Sequence, residues 1–132
     1  MNIAILIANI LTLLAIIAHI FGADKELKKI QPSADTDQWI DKQEKWTMAR
    51  GAFHLVTIDF ICLSILLGLI NFTDLIPNEQ LILKFLVFYM LLWTCAWLLV
   101  VSISKQFAKN YLKLWQWILF VIIGGLIYCG TI

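Results

Sequence analysis

The chain has 132 residues, of which 61% are hydrophobic and only 14% are charged, and its formal net charge is +1. Ordinary soluble domains contain about 25% charged residues, so this composition excludes that class. A nearly neutral chain offers no basic surface for nucleic acid, and we expect no such partner. The three cysteines form no CxxC pair and no zinc-type spacing with histidine, which argues against a disulfide framework or a zinc site.

Four stretches are long and apolar enough to cross a bilayer. A helix of about 20 residues rises about 30 Å, the thickness of the hydrocarbon core. The predicted spans are residues 2–21, 48–70, 80–101 and 111–130. The sequence therefore predicts a single all-α transmembrane domain over residues 1–132. Its expected architecture is an integral membrane four-helix bundle of up-down-up-down topology, surrounded by lipid.

The first predicted span, 2–21, carries polar residues along one side. Asn2, Asn9, Thr12 and His19 follow this side at about 100° per residue, next to a row of alanines. Small residues let helices approach closely in a membrane, and polar residues hydrogen-bond across the interface. We expect this side to face other helices and the Ile- and Leu-rich side to face lipid.

An amphipathic segment precedes the second span. Pro32 ends the preceding loop, and Asp35 or Asp37 is placed to cap a new helix. Trp39 and Trp46 share one side of that helix, as expected for residues at headgroup level. The pattern predicts a short interfacial helix on the cytoplasmic side, which can continue directly into the second span.

The last two predicted spans, 80–101 and 111–130, are joined by a short basic connection. Spans joined in this way are antiparallel neighbours. Gly124 and Gly125 lie in the last span, and they predict close packing against another helix.

Lysine and arginine are distributed unequally between the connections. Six follow the first span and three follow the third, whereas the opposite side has only Lys84. By the positive-inside rule, this bias places segments 22–47 and 102–110 in the cytoplasm and both termini outside. We expect the protein to lie in an inner or plasma membrane.

Ionisable side chains inside a membrane are costly, and they usually face protein or water. Arg50 and His54 are four residues apart at the start of the second span, and His19 lies at the same end of the first. We expect these three side chains to line a cavity open to the cytoplasm. Trp97, with Trp115 or Trp117, lies at a similar depth and would form its aromatic walls.

The two histidines allow other interpretations. The simplest is that His19 and His54 bond backbone carbonyls or headgroups at the interface. Two imidazoles on facing helices are also the ligand type for a b-type haem, with Arg50 placed to meet a propionate. The residues alone leave the cofactor open.

Asp59 is placed near the bilayer centre, about 16 Å beyond the start of the second span. It is rotated about 140° from His54, so its partner must come from another helix. Thr12, Tyr89 and Trp93 lie at a suitable depth. Asp59 is either a structural hydrogen-bonding group or a proton or cation relay.

Two functions from different classes fit these features. The first is a small carrier or permease-like protein for a small or lipophilic solute, with Asp59 as the titrating group. The alternative is an accessory or anchor subunit of a membrane complex, with or without haem. For either function, we expect the protein to lie in the lipid bilayer as a homo-oligomer or within a larger membrane complex. An enzyme is less favoured, because the chain has no GxSxG motif and no glycine-rich phosphate loop.

The charge bias generates a test of orientation. Single cysteines placed at Lys28 and Lys109, with the native cysteines changed to serine, should react with an impermeant thiol reagent only after the cells are permeabilised. Labelling of both positions from outside intact cells would contradict the predicted orientation.

Overall fold

The computed structural model describes residues 1–34, 39–104 and 109–132, and all regular structure in these ranges is helical. The elements in chain order are α1 (Ile3–Ile17), a π-helical segment (Ala18–Ala23), α2 (Asp24–Lys29), α3 (Trp39–Phe72), α4 (Glu79–Ile103), α5 (Asn110–Lys113) and α6 (Gln116–Cys129). The all-α prediction is confirmed for this part of the chain. The proposed helix caps Asp35 and Asp37 lie outside the described residues.

Three helices are long and apolar enough to cross a membrane, judged by length and composition: Ile3–Lys29, Trp39–Phe72 and Glu79–Ile103. They cover the first three predicted spans to within one residue, and they are consistent with a small membrane protein. The helix α3 has 34 residues without interruption, which corresponds to about 51 Å. The predicted interfacial helix is therefore the first part of α3 and not a separate element.

The fourth predicted span, 111–130, is not one continuous helix. It is divided into α5 and α6, and α6 has only 14 residues, or about 21 Å. Two indole N–H groups bind carbonyls at the break: Trp97 donates to Leu114 O and Trp117 to Tyr111 O, each at 3.1 Å. These side chains replace backbone donors that a continuous helix would supply, which is the physical reason for the difference from the prediction.

The chain divides into two compact units, Thr12–Leu66 and a terminal unit made of Met1–Leu11 with Leu67–Ile132. Within Thr12–Leu66, residues later in the first helix contact residues earlier in α3, so these helix segments are antiparallel. The contacting pairs are His19 with Phe53, Asp24 with Arg50, and Leu27 with Trp46.

The terminal unit is organised by the antiparallel packing of α4 and α6. Met90 and Ile123 are almost fully buried. A Cβ atom added to Gly124 would lie 3.0 Å from the Met90 Cβ atom. The absence of a side chain at Gly124 thus permits the close helix approach that the sequence predicted.

Asn2 ties the start of α1 to the rest of the terminal unit. Its side-chain oxygen accepts a bond from the Ala4 N–H at 2.9 Å, as a helix N-cap does. Its backbone N–H donates to Asn71 Oδ1 at 2.6 Å, and its Nδ2 donates to the Gly130 carbonyl at 3.3 Å. Asn2 therefore satisfies backbone groups that would otherwise be exposed at helix ends.

The neighbouring glycines of α6 provide a matched test of this packing. Gly124→Ala should lower the free energy of unfolding by about 1 to 3 kcal/mol, because the added methyl overpacks against Met90. Gly125→Ala meets nothing within 4 Å among the described residues. It should leave stability unchanged or raise it by up to about 1 kcal/mol through helix propensity.

Melting curves in detergent measure both effects. Equal melting temperatures for the two variants would contradict the close approach at Gly124.

Candidate functional site

The first helix changes its pitch immediately before the candidate site. Residues Ala18–Ala23 are π-helical, and the Asp24 N–H donates to the His19 carbonyl. In an α-helix, residues five apart are rotated by about 140°, whereas the i→i+5 bond of a π turn brings them onto one side. The π segment therefore places His19 and Asp24 on the same side of the helix.

His19 is held by the aromatic residues of α3. Its ring stacks on Phe53 with a centroid distance of 3.7 Å and an interplanar angle of 10°. Its Nε2 atom lies 3.0 Å from the Phe53 carbonyl oxygen. Because a carbonyl can only accept, this nitrogen carries the hydrogen and donates it. This geometry agrees with the simplest interpretation of the sequence, in which His19 bonds a backbone carbonyl.

Asp24 is the centre of the site. Its side chain is only 12% exposed, and Oδ2 lies 2.8 Å from Lys28 Nζ. The other oxygen, Oδ1, accepts a bond from Arg50 Nε at 3.1 Å and lies 3.5 Å from His54 Nε2. Asp24, Lys28, Arg50 and His54 are called the Asp24 cluster below.

The charges around Asp24 decide its ionisation. Asp24 lies beyond the predicted first span, 2–21. The hydrogen bond from Lys28 and the bond and charge of Arg50 lower the pKa of Asp24, and they outweigh desolvation, which raises it. Asp24 is therefore a carboxylate at neutral pH, held between α2 and α3.

Trp46 supports the cluster from α3. Its indole N–H donates to the Leu27 carbonyl at 3.1 Å, which connects α3 to α2. The Arg50 guanidinium carbon lies 5.3 Å from the centroid of the Trp46 ring, in cation–π geometry. The headgroup-level position of Trp46 stays a prediction, and in the structure its ring packs against the Arg50 guanidinium.

The structure brings together three of the predicted site residues, His19, Arg50 and His54. Both imidazoles contact the Phe53 ring, at centroid distances of 3.7 and 5.6 Å. Sequence reasoning missed Asp24, because the first span was predicted to end at residue 21 and Asp24 was assigned to the connection that follows, whereas the helix continues to Lys29. Opposite charges at equal depth on adjacent antiparallel helices are the signal that could have identified it.

The haem hypothesis requires a free ring nitrogen on each histidine. In the structure, His19 Nε2 bonds the Phe53 carbonyl and His54 Nε2 faces Asp24. Paired ligation of one iron through these Nε2 atoms does not fit this arrangement. The described residues contain no group of three or more His, Cys, Asp or Glu side chains arranged to hold a metal ion.

The deeper polar residues of the Thr12–Leu66 unit are at least partly buried. Thr12 has no exposed surface, and Asp59 is half-buried. Both take part in interactions. The predicted contacts of Asp59 with Thr12, Tyr89 or Trp93 stay predictions.

Trp97 and Trp117 lie in the terminal unit. Their indole N–H groups bind the carbonyls at the break between α5 and α6, and the Trp97 ring meets Phe120 edge-on at 6.4 Å. These contacts give both tryptophans a structural role at the helix break. Their role as walls of a binding cavity stays a prediction.

Comparison of the chain with protein-family models, curated proteins and solved structures found no match.

The buried carboxylate generates a pH-dependent test. Asp24→Asn should lower the melting temperature at pH 7, because it leaves Lys28 and Arg50 without their counter-charge. Since the folded-state pKa of Asp24 is lowered, its stabilisation is present above the ordinary value of 3.8 and is lost as the pH falls through the lowered value. The melting temperatures of the wild type and the variant should therefore become equal at acidic pH, below the lowered pKa of Asp24.

Glu26→Gln is the matched control, because Glu26 is also paired with a lysine of α2, Lys29, but both side chains are more than half exposed. Exposed pairs contribute little, so the control should melt like the wild type. A control as destabilised as Asp24→Asn would contradict the central position of Asp24.

Proposed function

We propose that this chain is a four-span carrier or permease-like protein that moves a small or lipophilic solute in exchange for, or together with, protons. The Asp24 cluster forms its proton-responsive cytoplasmic end, and Asp59 is the intramembrane proton-binding group. Both termini face outside. The fourth crossing is the broken segment of α5 and α6.

The observation that carries the proposal is the contact between His54 and Asp24. The His54 side chain is 48% exposed, and its Nε2 lies 3.5 Å from a carboxylate oxygen that is itself buried. A charged His54 would form an ion pair with Asp24, and a neutral His54 would not. We propose that this contact between α2 and α3 is the proton-responsive element of the protein.

Asp59 extends the proposed proton route into the membrane. It lies on α3 five residues after His54, which is about 7.5 Å further along the axis. An intramembrane carboxyl is a functional candidate because of its insertion cost. His54 and Asp59 thus provide two titratable groups at successive depths on one helix.

A broken fourth crossing is compatible with a bilayer only when its free carbonyls have donors. The indoles of Trp97 and Trp117 provide such donors to Leu114 and Tyr111. This pairing supports the assignment of α5 and α6 to one crossing.

Proteoliposomes test the proposal. With an imposed pH gradient, wild-type protein should accumulate a fluorescent lipophilic cation such as ethidium, and Asp59→Asn should abolish this uptake without lowering the melting temperature. His54→Gln should shift the pH profile of uptake. Asp41→Asn removes an exposed carboxylate at the start of α3, and it should transport like the wild type.

Two results would overturn the proposal. They are full activity of Asp59→Asn, and wild-type protein that shows no gradient-driven uptake across a panel of lipophilic cations and small neutral solutes. The second result would favour the accessory or anchor subunit.

A further inference from the structure

The Asp24 cluster contains more positive than negative charge. It has one carboxylate, Asp24, and two permanent cations, Lys28 and Arg50, with His54 as a third when it is protonated. Asp24 therefore neutralises only part of the positive charge of the side chains that it contacts. The remainder is available to a second anion.

Asp24 holds Arg50 in place but occupies only some of the hydrogen-bond donors of its guanidinium group. The contact with Asp24 is made through Nε, which is one of five N–H donors on the guanidinium. The ring of Trp46 lies against the guanidinium group, and the side chain is 33% exposed. The terminal amino groups thus form an oriented fork of the kind that binds phosphate oxygens in pairs.

Lys28 and His54 converge on the same place. Lys28 bonds Oδ2 of Asp24, and Arg50 and His54 both contact Oδ1. Because all three cationic side chains meet one small carboxylate, they lie close to each other. Lys28 is 56% exposed and His54 is 48% exposed, so an anion from outside can reach both.

The surrounding apolar residues indicate where such an anion would come from. Phe21, three residues before Asp24, is 74% exposed, and Leu55, next to His54, is 71% exposed. These exposed apolar side chains lie beside a cationic group at the end of a predicted span. A lipid fits this environment, because its acyl chains would lie along the span and its headgroup would lie at the cationic end.

We propose that the exposed side of the Asp24 cluster binds a phosphate group, held by the Arg50 fork, Lys28 and His54. A phospholipid headgroup and a soluble phosphate share this chemistry. The proposal rests on the geometry of the cluster and not on transport, so it stands or falls independently of the carrier function.

Binding of three probes to the purified full chain in detergent tests the proposal. The probes are dioctanoyl phosphatidic acid, dioctanoyl phosphatidylcholine and inorganic phosphate, and the readouts are native mass spectrometry and tryptophan fluorescence. We expect saturable binding of phosphatidic acid, weaker binding of phosphatidylcholine, and competition by inorganic phosphate. Inorganic phosphate that binds as tightly as phosphatidic acid would identify a soluble phosphate as the ligand.

Three variants separate a built site from general surface charge. Arg50→Lys keeps the charge but removes the fork, and it should weaken phosphatidic acid binding about tenfold, the order of one charge-assisted hydrogen bond. Lys28→Gln should weaken it similarly. Lys29→Gln removes the same charge from the neighbouring residue, which pairs with Glu26, and it should bind like the wild type.

Lys28→Gln changes a side chain that is more than half exposed, so it keeps the test valid if Arg50→Lys fails to fold. An equal loss for Lys28→Gln and Lys29→Gln, or no saturable binding of phosphatidic acid and inorganic phosphate, would overturn the proposal.

Discussion

The buried Asp24 carboxylate is the constraint on which the Thr12–Leu66 unit depends. A carboxylate leaves water only when charged or hydrogen-bonding partners replace the lost hydration. Lys28 provides one partner from the same helix, and Arg50 and His54 provide two more from α3. A shift of α3 by one turn would remove both α3 partners, so the charge requirement fixes the register of the two helices at this end.

Two local irregularities make the observed contacts possible, and side chains compensate both. The π segment Ala18–Ala23 brings His19 and Asp24 to one side of the first helix, where α3 supplies a partner to each. The break between α5 and α6 exposes carbonyls, and Trp97 and Trp117 bind them. A carbonyl released at a helix break needs a new donor, and an indole N–H supplies one.

The predicted helices agree with the structure to different degrees for a physical reason. The three long helices follow from hydropathy, which is summed over about 20 residues and is insensitive to any single contact. The segment 111–130 has the same average character, but it is broken where two indole N–H groups bind backbone carbonyls, and hydropathy does not register such bonds. The site shows the same contrast. Spacing along α3 put Arg50 and His54 on one side, whereas Asp24 was missed because hydropathy ended the first span at residue 21 and does not register the π segment through which the helix continues to Lys29.

The sequence by itself determined the membrane-type composition, the three long apolar helices and the spacing that puts Arg50 and His54 on one side of α3. These properties depend on local hydrophobicity and on distance along a helix. Only the tertiary structure decided that Asp24 is the common partner of Arg50 and His54, and that α6 starts at Gln116. It did so because a buried charge and an open carbonyl each need a partner that is remote along the chain, and only the packed helices supply it.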